Sequence, residues 1–298
     1  MLISVVIPHL NQPEFLAECL KSLHSQDKQS SSVEIFVVDN GSQEMPEKIC
    51  AAWPNVTLLR ETTPGPGPAR NAGIAKAKGD ILAFIDADCR ANPGWLCAIE
   101  EAFEDAETMV IGGDVQVPYA DKANPTSLEA YERIYAYRNK LYVASGYSGT
   151  GNLSMRAEAY HTVGPFGGIE IAEDRDWGLR ARAKGIITRY VPEMIIYHPA
   201  RKTYDEMHRK WDRHIAHDFS RVSGGSAKFK WVLRATAIAA SPIGEIPKVL
   251  TSDRISGVKE RSLAFACLTR IRFYRFRRMI SVLLAGNGRS LSSAWNRE

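Results

Sequence analysis

Two aspartates one residue apart, Asp86 and Asp88, close the stretch Gly79-Asp80-Ile81-Leu82-Ala83-Phe84-Ile85-Asp86-Ala87-Asp88. The apolar run Ile81 to Ile85 reads as a buried strand, and the carboxylates follow where it should end. Side chains two apart along extended chain point the same way, so the two can converge on one ligand. Like charges that close repel unless a cation or a donor sits between them. A divalent-metal site at the carboxyl end of a strand is one reading; an Asp-rich turn is the other. A second acidic group lies far along the chain, where Glu173, Asp174 and Asp176 begin a helix that carries Trp177 and Leu179. Acids at a helix N-terminus suit the dipole, so capping stands beside catalysis as an explanation. Arg70 falls in the first turn of a helix read over Ala69 to Lys78, where a cation is unfavourable and calls for an anionic partner.

These groups need a frame. Residues 2–7 form a near-continuous apolar run suited to a central strand. Pro8-His9-Leu10-Asn11 turns the chain, and Asn11 can cap a helix with Pro13 in its first turn. Strands follow at Val33–Val38 and Val56–Leu59, separated by a short helix from Met45 to Ala52. This alternation predicts an α/β domain with a mainly parallel sheet. In such sheets ligands sit beyond the carboxyl ends of strands. Three polar clusters fall there: Pro8–Asn11, Asp39–Ser42 and Asp86–Asp88. Thr62 to Gly73 reads as an irregular Pro/Gly loop running into the Arg70 helix. Further on, a helix from Asn92 to about Glu107, strand at Met109–Gly112 and Asp114–Val117, and a helix over 126–143 are predicted. Ser145 to Asn152 is a small-residue loop that lets a ligand approach backbone. Strand Ile186–Val191 precedes Met194-Ile195-Ile196-Tyr197-His198.

Bulk properties narrow the class. The chain has 298 residues, 45% hydrophobic and 24% charged, an ordinary globular balance. No apolar run approaches the roughly 20 residues that span a bilayer. Met1 to Ile7 lacks a basic leader, and the five cysteines form no CxxC pair, so reduced cytoplasmic thiols are expected. The His residues do not pair with Cys at zinc spacing, and no Ser/His/Asp set is visible. Residues 1–200 hold 18 Lys and Arg against 26 Asp and Glu, while residues 201–298 hold 20 against 8. The basic end points to an anionic partner: nucleic acid, an acidic lipid surface or a phosphorylated substrate. Arg261 to Ala285 reads as a helix with Phe265, Phe273, Phe276, Met279, Ile280 and Leu283 in one sector, interrupted by Arg272 and flanked by further Arg. That pattern suggests an interfacial membrane helix, with packing on the protein or a dimer contact as alternatives. No nucleic-acid motif accompanies the charge.

In order along residues 3–200, the chain resembles the family 2 glycosyltransferases of the GT-A fold. The carriers are Ser4-Val5-Val6-Ile7-Pro8, Val37-Val38-Asp39-Asn40-Gly41-Ser42, Ala69-Arg70-Asn71-Ala72-Gly73, Phe84-Ile85-Asp86-Ala87-Asp88, Gly151-Asn152-Leu153-Ser154, and Glu173-Asp174 followed by Leu179-Arg180 and Gly185. The resemblance implies a Rossmann-like sheet flanked by helices and an inverting sugar transfer from a nucleotide-diphosphate sugar, UDP-sugars favoured. The acceptor would be a hydroxyl of a glycan or lipid-linked molecule, in cell-surface polysaccharide or glycoconjugate synthesis. Pro8, Leu10, Asp39, Arg70 and Asp86 would hold the nucleotide. Asp88 and, more loosely, His198 would bind Mn2+ or Mg2+. Asp174 would be the base with Glu173 beside it, and Gly151 and Asn152 would line the acceptor or donor-sugar loop. Met207-His208-Arg209-Lys210-Trp211 only partly echoes the Gln-x-x-Arg-Trp motif of processive members, which favours single addition. The expected layout is a catalytic domain over 1–220, its nucleotide half about 1–115 and its acceptor half about 116–220, then a basic helical region over 221–298. That region would meet an anionic membrane surface through residues 226–285, on the cytoplasmic face, or support a homodimer. A non-catalytic sugar-nucleotide-binding or scaffold protein on the same fold is the alternative.

Overall fold

The computed structural model describes residues 1–27, 30–220 and 222–285, apart from the side chain of His217. Arg221 and residues 286–298 of the predicted C-terminal region lie outside the described residues. The first half of the chain runs β1 (Leu2–His9), α1 (Pro13–His24), β2 (Ser32–Asp39), α2 (Glu47–Ala51), β3 (Val56–Arg60), α3 (Pro66–Ile74), β4 (Ile81–Ile85), β5 (Arg90–Ala91), α4 (Trp95–Glu104) and β6 (Val110–Gln116). Then come α5 (Ser127–Tyr135), α6 (Asn139–Ala144), β7 (Asn152–Arg156), α7 (Ala157–Val163), α8 (Glu173–Ala183) and β8 (Thr188–Tyr197). Three long helices end the described chain: α9 (Tyr204–Phe219), α10 (Gly224–Thr251) and α11 (Gly257–Ala285).

Two compact units form, one from Met1–Gln116 with Tyr137–Pro199, the other from Val117–Ala136 with Ala200 onward. Residues 200–220, grouped with the catalytic domain on sequence, thus pack in the helical unit. The first unit carries an eight-stranded mixed α/β sheet in the order β3-β2-β1-β4-β7-β6-β8-β5. β1 to β4 are mutually parallel, whereas β7 enters antiparallel between β4 and β6, and β8 runs parallel to β6. The sheet is covered on both sides because alternate residues serve opposite faces. Ile3, Val5, Ile7, Ile81, Ala83 and Ile85 pack with α1 and α4. Val6, Val38, Leu82, Phe84, Leu153 and Met155 pack with α3, α7 and α8.

Several local expectations are corrected. α3 starts at Pro66, three residues before the predicted start, because Pro at the first helical positions lacks an N–H that would have no partner there anyway. Arg70 therefore sits in the second turn, away from the strongest part of the helix dipole. Gly73 lets α3 press onto β1: a Cβ there would lie 2.5 Å from Val6 Cγ1. Gln12, not Asn11, occupies the N-cap of α1. Asn11 takes a left-handed φ of 53° and accepts from the Gln43 N–H through Oδ1 at 2.9 Å. The helix predicted over 126–143 breaks into α5 and α6 at Tyr137, whose φ is 48°.

Asn152, expected in a ligand-facing loop, is fully buried at the start of β7. Its Nδ2 donates to the carbonyls of Asp114 and Met194, both at 2.8 Å, and its Oδ1 accepts from Trp95 Nε1 at 2.9 Å. It ties β6, β7, β8 and α4 together and presents no amide to a ligand.

The second unit is a helical assembly. Leu128 and Tyr131 of α5 pack with Met207 of α9 and with Cys267, Leu268 and Ile271 of α11. Ile215 and Phe219 meet Trp231, Ala235 and Ile238 of α10, and Met279 and Val282 of α11. The α11 sector predicted to face lipid is mostly used inside this unit: Met279 is buried, and Phe265, Phe276, Ile280 and Leu283 pack against its clusters. Four of the arginines in or beside the sector are engaged too, while Arg277 is exposed. Arg270 lies over the Tyr204 ring, Arg275 over Trp211, Arg272 pairs with Glu245, and Arg278 pairs with Asp212. Of the predicted sector only Phe273 remains exposed. Among the described residues no helix is long and apolar enough to cross a membrane.

Replacing Asn152 with Leu removes the donor to two buried carbonyls and the acceptor of a buried indole. Each buried group left unsatisfied costs about 1–3 kcal/mol. Urea unfolding is expected to show a loss of at least about 3 kcal/mol; an unchanged midpoint would contradict the role given to this amide.

Candidate active site

The site is built at the carboxyl ends of β1, β2 and β4 and at the starts of α3 and α8, all within the first unit. Even-numbered residues of β4 face the α3 side, and Asp86 continues that parity. There it meets Arg70, whose Nη2 donates to Asp86 Oδ1 at 2.7 Å. Arg70 Nη1 donates to Glu173 Oε1 at 3.0 Å. Arg70 is only 2% exposed, so its charge is neutralised by carboxylates from two distant segments. The anionic partner asked for on sequence is thus a pair. Asn71, the next residue, holds the chain that leads into α8: Nδ2 donates to the Phe166 carbonyl, and Oδ1 accepts from the Phe166 N–H and from Tyr160 Oη.

Asp86 and Asp88 take different partners, yet they lie close enough for each to act on the other and on His198. The strand ends at Ile85, and a turn closed by the Cys89 N–H on the Asp86 carbonyl at 2.9 Å rotates the chain between them. Asp88 is carried to His198, with Oδ2 3.3 Å from Nε2. The two-residue β5 fixes this approach by pairing Arg90 with Tyr197 on β8. His198 Nδ1 lies 2.8 Å from the Pro199 carbonyl, and a carbonyl only accepts, so Nδ1 carries the proton and Nε2 is aimed at Asp88. Tyr137 backs the imidazole at a ring-centroid distance of 4.4 Å.

Electrostatics follow from this packing. Burial pushes the Asp86 carboxyl up, Arg70 pulls it back, and nearby Asp88 adds to the rise. Burial alone would also raise Asp88, but His198 and the Cys89 thiol hold it below the ordinary carboxylate value. Burial pushes His198 down, yet Asp88 outweighs it and holds the imidazole above its usual value. Asp88 Oδ2 and His198 Nε2 are placed where they could serve a divalent ion, and a carboxylate with an imidazole is a donor set open to Mn2+. Asp88, Cys89 and His198 offer ligand atoms within 4.8 Å of one another.

Gly151 closes on the Asp86 carboxylate. A Cβ at this position would lie 2.5 Å from Asp86 Oδ2, so only glycine lets the backbone come this near. At the other end of the Arg70 bridge, Asp174 stands one residue beyond Glu173 in the first turn of α8. Burial and the Glu173 charge raise its pKa, against the Arg175 N–H and Arg70. Its Oδ1 accepts from the Arg175 N–H at 2.6 Å. Asp176 is turned to a different task, pairing with Arg180 at 2.8 Å.

Pro8 and Leu10 lie half-buried at the end of β1. Asp39 is fully buried, with Oδ1 3.0 Å from His9 Nδ1 and Oδ2 accepting from the N–H groups of Gly41 and Ser42. Burial would raise this carboxyl, but the bonds from Ser42 and His9 hold it below its ordinary value. Asp39 thereby shapes the turn over 39–42 from beneath. His9 is the residue that sequence reasoning passed over. Its Nε2 accepts from the Gln12 N–H at 3.2 Å, leaving Nδ1–H for Asp39, and its position at the end of β1 was the available signal.

Residues 4–164 match the family described as Glycosyl transferase family 2. Glycosyltransferase AglE of Haloferax volcanii is 32% identical over 206 residues, covering 67% of this chain and 67% of that protein. Among solved structures, the mannosyltransferase PcManGT from Pyrobaculum calidifontis, in complex with GDP-Man and Mn2+, aligns over 99% of this chain and 88% of its own, with a TM-score of 0.59 at 17% identity. TarS 1–349 of Staphylococcus aureus in complex with UDP-GlcNAc aligns over 98% and 88%, with a TM-score of 0.53 at 16% identity. These two likenesses are of fold. With the family match spanning more than half of the residues and the strand-end carboxylates in place, the chain belongs to glycosyl transferase family 2.

Proposed function

We propose that this chain transfers a hexosyl group, with inversion at the anomeric carbon, from a nucleotide-diphosphate sugar to a hydroxyl of a glycan or lipid-linked acceptor, in glycoconjugate or polysaccharide synthesis. UDP-sugars are the favoured donors. The observation that carries the reading is the pair of acidic stations joined by Arg70: Asp86 and Asp88 with His198 at one, Glu173 and Asp174 at the other. The free cysteines, among them the buried Cys19, Cys50, Cys89 and Cys267, support a cytoplasmic setting.

In the proposed reaction the acceptor oxygen attacks the anomeric carbon, and the bond from that carbon to the diphosphate oxygen breaks. Asp174 takes the acceptor proton. Burial and the Glu173 charge raise its pKa, which makes it a better base than an exposed carboxylate. A divalent ion held by Asp88 and His198 would offset the charge on the departing diphosphate. Arg70 is neutralised by Asp86 and Glu173 and keeps both carboxylates in position. Gly151 holds the backbone against Asp86 where a side chain would intrude. Pro8, Leu10 and the Asp39 turn are offered as the cradle for base and ribose.

Nucleotide release from UDP-, GDP- and TDP-sugars with Mn2+ or Mg2+ tests the whole reading. Release from at least one donor is expected; no release from any, together with donor binding unaffected by Asp88→Ala, overturns it. The base must be ionised, so kcat/KM should fall as pH drops through an apparent pKa above the ordinary value of about 3.9. Asp174→Asn should lower kcat about 10²–10⁴-fold and abolish that limb. Chelation should stop release and Mn2+ restore it. His198→Ala should weaken Mn2+ binding, read by electron paramagnetic resonance, by about 10–100-fold, the scale of loss when a metal's supporting groups are removed. Gly151→Ala should cut kcat by about 10–100-fold through displacement of Asp86.

A further inference from the structure

α10 is apolar on two opposite faces, and packing explains only one of them. Trp231, Ala235, Ile238 and Val249 are buried within the helical unit. On the other side Phe229, Leu233, Ile243 and Leu250 are 64%, 53%, 75% and 59% exposed. With Thr236, Ala240 and Pro247, also exposed, they fall in a sector of about 100° at 100° per residue. The stripe runs for roughly 32 Å at 1.5 Å per residue. No charged side chain falls inside it. A helix apolar all round is normally covered all round.

The stripe is also free of polar demand. The Thr236 hydroxyl is returned to the helix, donating to the Leu233 carbonyl at 2.9 Å and the Val232 carbonyl at 3.2 Å. Pro242 removes the usual donor to the Ile238 carbonyl, and the Ser241 hydroxyl replaces it at 2.7 Å. The N-terminal half is flanked by exposed Lys228 and Lys230, one on each border of the sector. Their long stems can lie along the apolar stripe while the ammonium groups reach outward. The span 201–298, which contains α10, carries the chain's excess of 20 Lys and Arg over 8 Asp and Glu.

We propose that the exposed face of α10 lies flat on an anionic lipid bilayer, with Phe229, Leu233, Ile243 and Leu250 in the acyl boundary and Lys228 and Lys230 at the headgroups. A long uncharged stripe bordered by lysines on a helix too polar to cross has the chemistry of an interfacial helix. The assignment moves the lipid contact from α11, whose apolar sector and arginines are mostly engaged internally, to the preceding helix. It is independent of the catalytic reading, because it concerns binding and not transfer.

Flotation of the full chain with vesicles tests it. The protein should float with phosphatidylcholine vesicles containing phosphatidylglycerol, and much less with phosphatidylcholine alone. Leu233→Asp with Ile243→Asp should reduce partition by roughly tenfold per side chain. Lys228→Gln and Lys230→Gln should each reduce it about fivefold and weaken its salt dependence. Both sets are exposed positions, so melting temperature and nucleotide release from a soluble donor should not change. Failure to float with either vesicle, or equal flotation of the Asp variant, overturns the proposal. So does a wild-type dimer in sedimentation that Ile243→Asp dissociates without any vesicle binding, since the stripe would then serve a second copy of the chain.

Discussion

A guanidinium sealed from water has to be met by charge, and Arg70 meets it twice, at Asp86 and at Glu173. A buried charge stripped of its partner costs about 3–5 kcal/mol, so at least one of the two carboxylates has to stay in place. The carboxyl end of β4 and the first turn of α8 are bridged by Arg70, although 87 residues separate Asp86 from Glu173 by number. Everything else at the site takes its place from this junction. Asn71 secures the approach to α8, Gly151 fits against the Asp86 carboxylate, and Asp174 rides on α8 beside the clamped Glu173.

Much of this was legible in the residues themselves. Apolar runs bounded by turn residues located β1, β2, β3 and β4, since a sheet covered on both faces leaves no other use for such runs. Acids at the start of α8 and aspartates after β4 could be read as stations for chemistry because a strand end and a helix start are both places where ligands meet backbone. The partner of Arg70 was foreseen in kind and not in identity: sequence can say that a cation wants an anion, but not which of several anions the fold delivers. His9 and His198 show the same limit. Their tautomers depend on which carbonyl or N–H each ring nitrogen meets, and that is settled by three-dimensional contacts.

The misses have physical causes too. The partners of Asp86 and Asp88 could not be read from strand spacing, because the chain turns after Asp86 and the contacts each carboxylate makes are set by that turn. Asn152 looked like a loop residue because Asn favours loops, yet its amide satisfies three buried groups at once. In α11 the helical wheel found a sector of apolar residues correctly, but a wheel cannot tell lipid from protein. The neighbours Trp231 and Ile215 decide it for Met279 and Val282. In α10 the even spread of apolar residues hides an asymmetry that only the packing of one side reveals.

The antiparallel insertion of β7 between β4 and β6 has a kinetic consequence. Ile85 pairs with Asn152, and Gln116 with Tyr197, so the sheet closes through contacts between segments remote in sequence. Loop-closure entropy must be overcome before such pairings yield any stabilisation, which makes the topology slow to form. Asp86, Gly151, Glu173 and His198 reach each other only through those late pairings. A chain ending after β6 has β1 to β6 but not Gly151, Glu173 or His198, so the residues gathered at the site come together only when the segments beyond β6 join the sheet.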